Sequence, residues 1–403
     1  MKSLVVCSLA FFLLTICLAA QQKSQPANQL NSNNLRFNAD GKIRLSKSKS
    51  YQEAYMPMLF PSSHAANLVT LKNGDVLCAW FSGTQEGQSD VAIVVSRLPH
   101  GSHQWTKPIV VDHQPGKSYQ NPVPFQAPDG HIWIFHTEQD ANAGQANAHV
   151  LYVTSDNNGK TWTSPKVLFD KAGAFTRQPL VIVSKYKWIL PMYYTPSHGI
   201  TKGAETNYSV TEISTDAGKT WEECEIPESL GLVQPSVVVV DHHYIAFFRS
   251  RYADFVYKST SDDGCKWTAP KPTVLPNNNA SIQVTKLRNG HLAIAFNNVN
   301  VSDEKGKPRT GPRVPLSVAL SEDGGNTWSA VRDLETHDPD FAKQFSGLSD
   351  HPGREEYSYP SIMQMPNGKI GVAYTYRRQT IKFVEFDENW IKQGSTEGKF
   401  KVR

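Results

Sequence analysis

The stretch NLVTLKNGDVLCAW at 67–80 is two apolar runs joined by Asn-Gly, and the chain returns to that pattern again and again. PVPFQAPDGHIWIF at 122–135, IQVTKLRNGHLAIAF at 282–296 and SIMQMPNGKIGVAY at 361–374 repeat it, each with Asn or Asp before Gly. Such dipeptides supply the positive φ angles of a tight turn, so each copy reads as a two-stranded hairpin. LVIVSKYKWILPMY and SVVVVDHHYIAFF keep the apolar runs without the glycine, which brings the count to six.

Between hairpins lies a second element, Ser-x-Asp-x-Gly-x-Thr-Trp. STDAGKTW at 214–221 and SEDGGNTW at 321–328 match it in full, SDNNGKTW at 155–162 and TSDDGCKW at 260–267 nearly so, and a looser form ends at Trp105. Asp accepts from nearby backbone N–H groups, Gly takes the left-handed turn, and Trp packs between sheets. These Asp boxes are structural staples. Their tryptophans recur every 46 to 61 residues, so each unit is one small antiparallel sheet that must stack on its neighbours. The sequence therefore predicts an all-β, six-bladed β-propeller with Asp-box turns, spanning 46–398. EAYMPMLF near the start and IKFVEFDENWI near the end are candidates to complete one blade between them.

In a propeller the first residues of the innermost strands crowd around one mouth of the central channel. Just before the inner apolar runs stand His64, Asn121 with Gln120, Arg177 with Gln178, Gln234, Ser281 with Gln283, and Tyr359. Polar residues end strands at water as a matter of course, which accounts for Asn121, Gln178 and Ser281. His64, Arg177 and Tyr359 together suggest a ligand site, because convergent polar groups in a pocket bind ligands. Arg249 ends one apolar strand and Arg313 begins another. A guanidinium fork matches a carboxylate, so the implied ligand is an acidic sugar or another small carboxylate. Arg251, Arg377 and Arg378 read as surface residues.

The remaining features bound the function. Residues 1–20 form a secretory signal, with Lys2, a short apolar run and small residues at Ala19 and Ala20, and 21–45 form a flexible polar leader. The mature protein is then secreted or periplasmic. Loss of Cys7 and Cys17 leaves Cys78, Cys224 and Cys265, enough for one disulfide. Cys224 and Cys265 lie by adjacent box turns and are the candidates to pair, while Cys78 reads as a buried thiol. A formal net charge of +4 gives no polybasic case for nucleic acid or membrane. No metal-ligand spacing occurs, and Asn207, Asn279 and Asn300 are glycosylation sequons. The expected partner is an acidic glycan substrate, with no cofactor and a monomeric protein.

Over about residues 55–395 the chain resembles the sialidase superfamily, and within it the secreted Asp-box "predicted neuraminidase" group. YPSIMQMPNGKIGVAY aligns with the family's Tyr-Ser-x-Leu, Gly turn and Ile-Gly-x-x-Tyr pattern, which implies that Tyr359 stands where the nucleophilic tyrosine does. The resemblance likewise implies carboxylate-binding roles for Arg249 and Arg313. Two departures follow. His64 stands where the family has its first arginine, and Gln234 where it has the glutamate that deprotonates the tyrosine. A phenol of pKa about 10 needs help to attack at neutral pH. Either His64, Glu355 or Glu356 supplies a base, or Tyr359 is not the nucleophile. The family's acid falls in GTQEGQSD, where Asp90 is the first choice and Glu86 the second, with strand capping as the competing role for Asp90.

The leading expectation is an exo-glycosidase removing a terminal acidic sugar. Tyr359, His64 and Asp90 would be catalytic, and Arg177, Arg249, Arg313, Gln234 and Asn121 would bind substrate. A uronate lyase using His64, Tyr359 and Arg177 is the second reading, since a histidine of pKa about 6.5 suits a base. A non-catalytic propeller that binds acidic glycans is the third.

Overall fold

The computed structural model describes residues 37–47, 49–197, 202–302, 306–341, 355–394 and 400. The expected secretory signal and most of the expected leader lie outside the described residues. Six antiparallel sheets are arranged as blades around one axis, as the repeat requires. Their inner strands are Ser62–Thr70, Lys117–Gln126, the split pair Ala174–Thr176 and Val181–Ile182, Leu232–Val240, Gln283–Lys286 and Tyr357–Gln364, in blades 1 to 6. Each inner strand hairpins into the next strand of its blade. The turn glycines Gly74, Gly130, Gly290 and Gly368 are all left-handed, as the Asn-Gly and Asp-Gly turns demand.

Blade 6 closes the ring with both ends of the chain. Gln52–Tyr55 pairs antiparallel with Thr380–Phe386, placing Glu53 opposite Val384. Arg44–Leu45 adds an edge strand on Gln52–Glu53, so the ordered propeller begins before the leader boundary at 45 that composition suggests. This edge is short, which is how sheets limit pairing with other chains.

The core lies between blades. Phe247 of blade 4 packs with Ile294 and Phe296 of blade 5. The Asp-box Trp328 meets Phe247 edge-on at 5.9 Å, so a box of one blade wedges against its neighbour. Fully burying each such side chain is worth about 1.5–3 kcal/mol. Within the box at 214–221, Asp216 accepts from the N–H groups of Lys219 and Thr220 while Gly218 N–H donates to Ser214. The Cys224–Cys265 disulfide joins blade 3 to the box of blade 4, and Cys78 is buried and free. No helix among the described residues is long and apolar enough to cross a membrane.

One irregularity recurs where the inner strands reach the mouth. Pairing slips between His64 and Asn67, Gln120 and Val123, Val233 and Ser236, and Ser358 and Ser361. Inside each slip one residue is left-handed: Ala65 (φ 60°), Asn121 (51°), Gln234 (55°) and Tyr359 (51°). Asn279, just before the inner strand of blade 5, does the same at 62°. In three of the slips a proline follows, at 122, 235 and 360, and a proline has no N–H for the ladder. A bulky aromatic at positive φ is a backbone outlier costing on the order of 1–3 kcal/mol, of the kind that clusters at functional sites.

Candidate active site

The left-handed residues hold one arginine among them. Arg249 donates from Nε to Asn279 Oδ1 (2.8 Å), and from Nη1 to Gln234 Oε1 (3.3 Å) and to the phenol oxygen of Tyr359 (2.6 Å). Tyr193 links the far side, accepting from Gln234 Nε2 at 3.2 Å and from Asn121 Nδ2 at 3.4 Å. Blades 2 to 6 thus converge on one guanidinium and one phenol.

A cavity of about 440 Å³ opens above them. Among the described residues its charged lining is Arg249, Arg251, Arg313 and Arg378 with one carboxylate, Glu86, and its neutral wall includes Gln120, Asn121, Gln139 and Tyr193. Arg313 and Arg378 are both anchored on Glu356, a fully buried carboxylate that also accepts from Ser358. Burial opposes the charge on Glu356, but Arg313 and Arg378 outweigh it and keep the carboxyl well below its ordinary range. Arg251 donates to Asn207, and burial with Arg249 nearby lowers it to about 9, still protonated at neutral pH. Among the described residues, four cations against two carboxylates favour an anion here.

Tyr359 is where that field acts. Burial raises a phenol's pKa, yet Arg249 and Arg313 overcome it and bring Tyr359 down to about 8. Guanidiniums of Arg249 and Arg313 lie 5.5 and 5.2 Å from its ring centre. Gln234, a neutral amide, leaves the charge of Arg249 to act on the phenol.

The sequence-predicted residues divide. Tyr359, Arg249, Arg313 and Asn121 come together at the cavity, and Gln234 stands behind it as a ligand of Arg249. His64 lies elsewhere than expected: it is buried beneath Tyr359, its ring 4.1 Å from the phenol ring and its Nδ1 2.7 Å from Thr375 Oγ1. Burial, with Arg378 close by, holds its pKa well below the ordinary value, so the imidazole is neutral. Arg177 is also displaced from its expected place. Its guanidinium donates to the carbonyls of Ala66, Tyr359 and Pro360, under the site rather than in it. Asp90 does not line the cavity, because its carboxylate accepts from the N–H and hydroxyl of Thr84, while Glu86 from the same loop does. Glu355 is engaged by His337, Asp338 N–H and Tyr357.

Sequence reading missed Arg251 and Arg378, which are buried in the site rather than on the surface, and Tyr193 and Asn279. The sequon asparagines Asn207, Asn279 and Asn300 are all buried, which removes them as surface acceptors in the folded protein. One signal would have found Asn279: it precedes Ala280-Ser281 as Tyr359 precedes Pro360-Ser361 and Gln234 precedes Pro235-Ser236.

The BNR repeat-like domain family matches residues 74–372. The chain belongs to that family. Comparison with curated proteins finds no match. Among solved structures this family member is similar to the Hadza microbial sialidase Hz136 (16% identity, TM-score 0.63), covering 82% of this chain and 66% of that one, just under two thirds of its length. It is similar to a mutant NanB sialidase from Streptococcus pneumoniae (14%, TM-score 0.64; 88% and 71%). It is similar also to the intramolecular trans-sialidase from Ruminococcus gnavus in complex with oseltamivir carboxylate (13%, TM-score 0.63; 89% and 99%). At these identities the likeness carries the sialidase propeller fold.

Proposed function

We propose that this BNR-repeat protein is a secreted exo-glycosidase that removes a terminal acidic sugar from glycans, with Tyr359 as nucleophile. The observation that carries the reading is the 2.6 Å contact from Arg249 Nη1 to the phenol oxygen inside an arginine-lined cavity. The arginines bind the sugar's carboxylate, and the phenolate oxygen attacks the anomeric carbon as the bond to the departing oxygen breaks. Glu86, whose carboxylate lines the cavity, delivers a proton to that oxygen. Water, deprotonated by the same carboxylate, then splits the sugar from Tyr359. The sialidases of similar fold support acidic sugars as the substrate class, and the amide wall suits sugar hydroxyls. The lyase reading asked for His64 and Arg177 beside the substrate, and neither lines the cavity.

The test is incubation with a sialylated aryl glycoside and a panel of sialylated and uronate-capped oligosaccharides, read by product mass. A product heavier by one water supports hydrolysis. Elimination, or binding without any turnover, overturns it.

A further inference from the structure

Arg378 and Glu86 meet in the cavity wall on unequal terms. Arg378 comes from the turn between two strands of blade 6, where it and Arg377 are both left-handed. Its side chain is 3% exposed, and its Nε donates to the buried Glu356 at 3.1 Å. Its Nη1 reaches Glu86 Oε2 at 2.7 Å. Glu86 is 32% exposed and sits beside Gly87, left-handed at φ 88°, in the loop between two strands of blade 1. One partner is fixed and the other can leave. A pair open to water on one side is weak, and another carboxylate can replace the glutamate without loss of charge balance.

We infer that Arg378 is a carboxylate receptor of this site, and that Glu86 holds its place as an internal anion which the ligand's carboxylate displaces. This rests on the acidic-sugar reading and deepens it. The exchange makes the pair a specificity device: an acidic sugar releases Glu86 from Arg378 and frees it to take up and pass on a proton, whereas a neutral sugar leaves Glu86 held. Both residues of the exchange already line the cavity, with Arg313 braced on the same Glu356.

The test uses the whole protein and two sugar acids, N-acetylneuraminic acid and D-glucuronic acid, with their methyl esters, titrated by calorimetry into wild type, E86Q and R378K. E86Q removes the competing charge and should bind at least one acid about two- to fivefold tighter, with ester binding unmoved. R378K keeps the charge beside Glu356 but not the fork and should bind that acid about tenfold more weakly, with melting temperature as the check on folding. An acid bound no tighter by E86Q, an ester that gains equally, or no acid bound by either protein overturns the inference. The two readings fail separately. Cleavage of the aryl glycoside with unchanged binding by E86Q sinks this one alone, and tighter binding by E86Q without any cleavage sinks the glycosidase alone.

Discussion

Arg177 and Arg249 are both buried arginines near one axis, and they do different work. Arg177 turns both terminal nitrogens of its guanidinium to three backbone carbonyls, and the residues around it bond to backbone and to one another. Gln178 donates to the carbonyl of Ile282, Gln283 to Asn67, Ser361 to Gln283, and Asn67 to the carbonyls of Pro122 and Arg177. The inner strands are tied across the channel by that plug. Arg249 instead bonds only side chains and faces open space. Backbone acceptors are fixed by the fold, whereas side-chain acceptors can be re-paired by a ligand. The kind of acceptor, more than burial or charge, separates a structural arginine from one available for chemistry.

The sharpest way to break that comparison is at the group the two arginines share, since Arg177 holds the Tyr359 carbonyl and Arg249 its phenol. Tyr359→Phe removes only the oxygen. Turnover on the aryl glycoside should fall on the order of 10³-fold or more, with the melting temperature close to wild type. Retained turnover would remove the phenol from the chemistry and leave Arg249 as a binding group.

Next in size is the plug. Arg177→Met leaves three carbonyl acceptors beneath the site without their donor, and chemical denaturation should show a loss of about 3 kcal/mol or more. Arg249→Met should cost less stability, because it relieves crowding with Arg251 and Arg313, while turnover suffers more than stability. If Arg177→Met unfolds like wild type and only loses turnover, the division between plug and cavity is wrong.

The third test is pH. Tyr359 has an ordinary value near 10 in the unfolded chain and about 8 when folded, so its ionisation adds stability as pH rises from about 8 to 10. That increment is full above 10 and is lost as pH falls through 8. Compared with Tyr359→Phe, wild type should gain on the order of 2–3 kcal/mol across that window. Turnover should rise along the same limb, with an inflection about 8 that Arg249→Met moves upward. A flat profile from pH 7 to 9 would place the phenolate outside the rate-determining chemistry.

The plug and the cavity also differ in how far the sequence revealed them. Blade number and hairpin turns were legible because paired apolar runs, Asn-Gly turns and a spaced Trp each encode local geometry. Tyr359, Arg249 and Arg313 were legible because strand ends and family motifs mark them. His64 and Arg177 were misplaced for different reasons: the left-handed Ala65 turns the strand just after His64, whereas Arg177 lies in the break between Ala174–Thr176 and Val181–Ile182, where backbone carbonyls draw its guanidinium under the site. Ala65, followed by Ala66, is the true counterpart of Tyr359 in blade 1, and His64 falls one position short. Arg251 and Arg378 were hidden because nothing in a turn sequence such as Tyr-Arg-Arg-Gln-Thr says which arginine Glu356 will draw inward.

The smallest effect separates two carboxylates on one loop. Asp90 closes its own turn by accepting from Thr84, as the plug residues close theirs, whereas Glu86 faces the cavity. Asp90→Ala removes an acceptor from a partly exposed pair of donors that water can satisfy, so stability should fall by about 1 kcal/mol or less. Turnover should fall far less than in Glu86→Ala, which deletes the proposed proton donor. Measured side by side on a substrate with a poor leaving group, the two variants extend the same test of acceptors from arginines to acids. Equal losses in turnover would mean that the loop acts as one unit and that the distinction between closed and open partners stops at the inner strands.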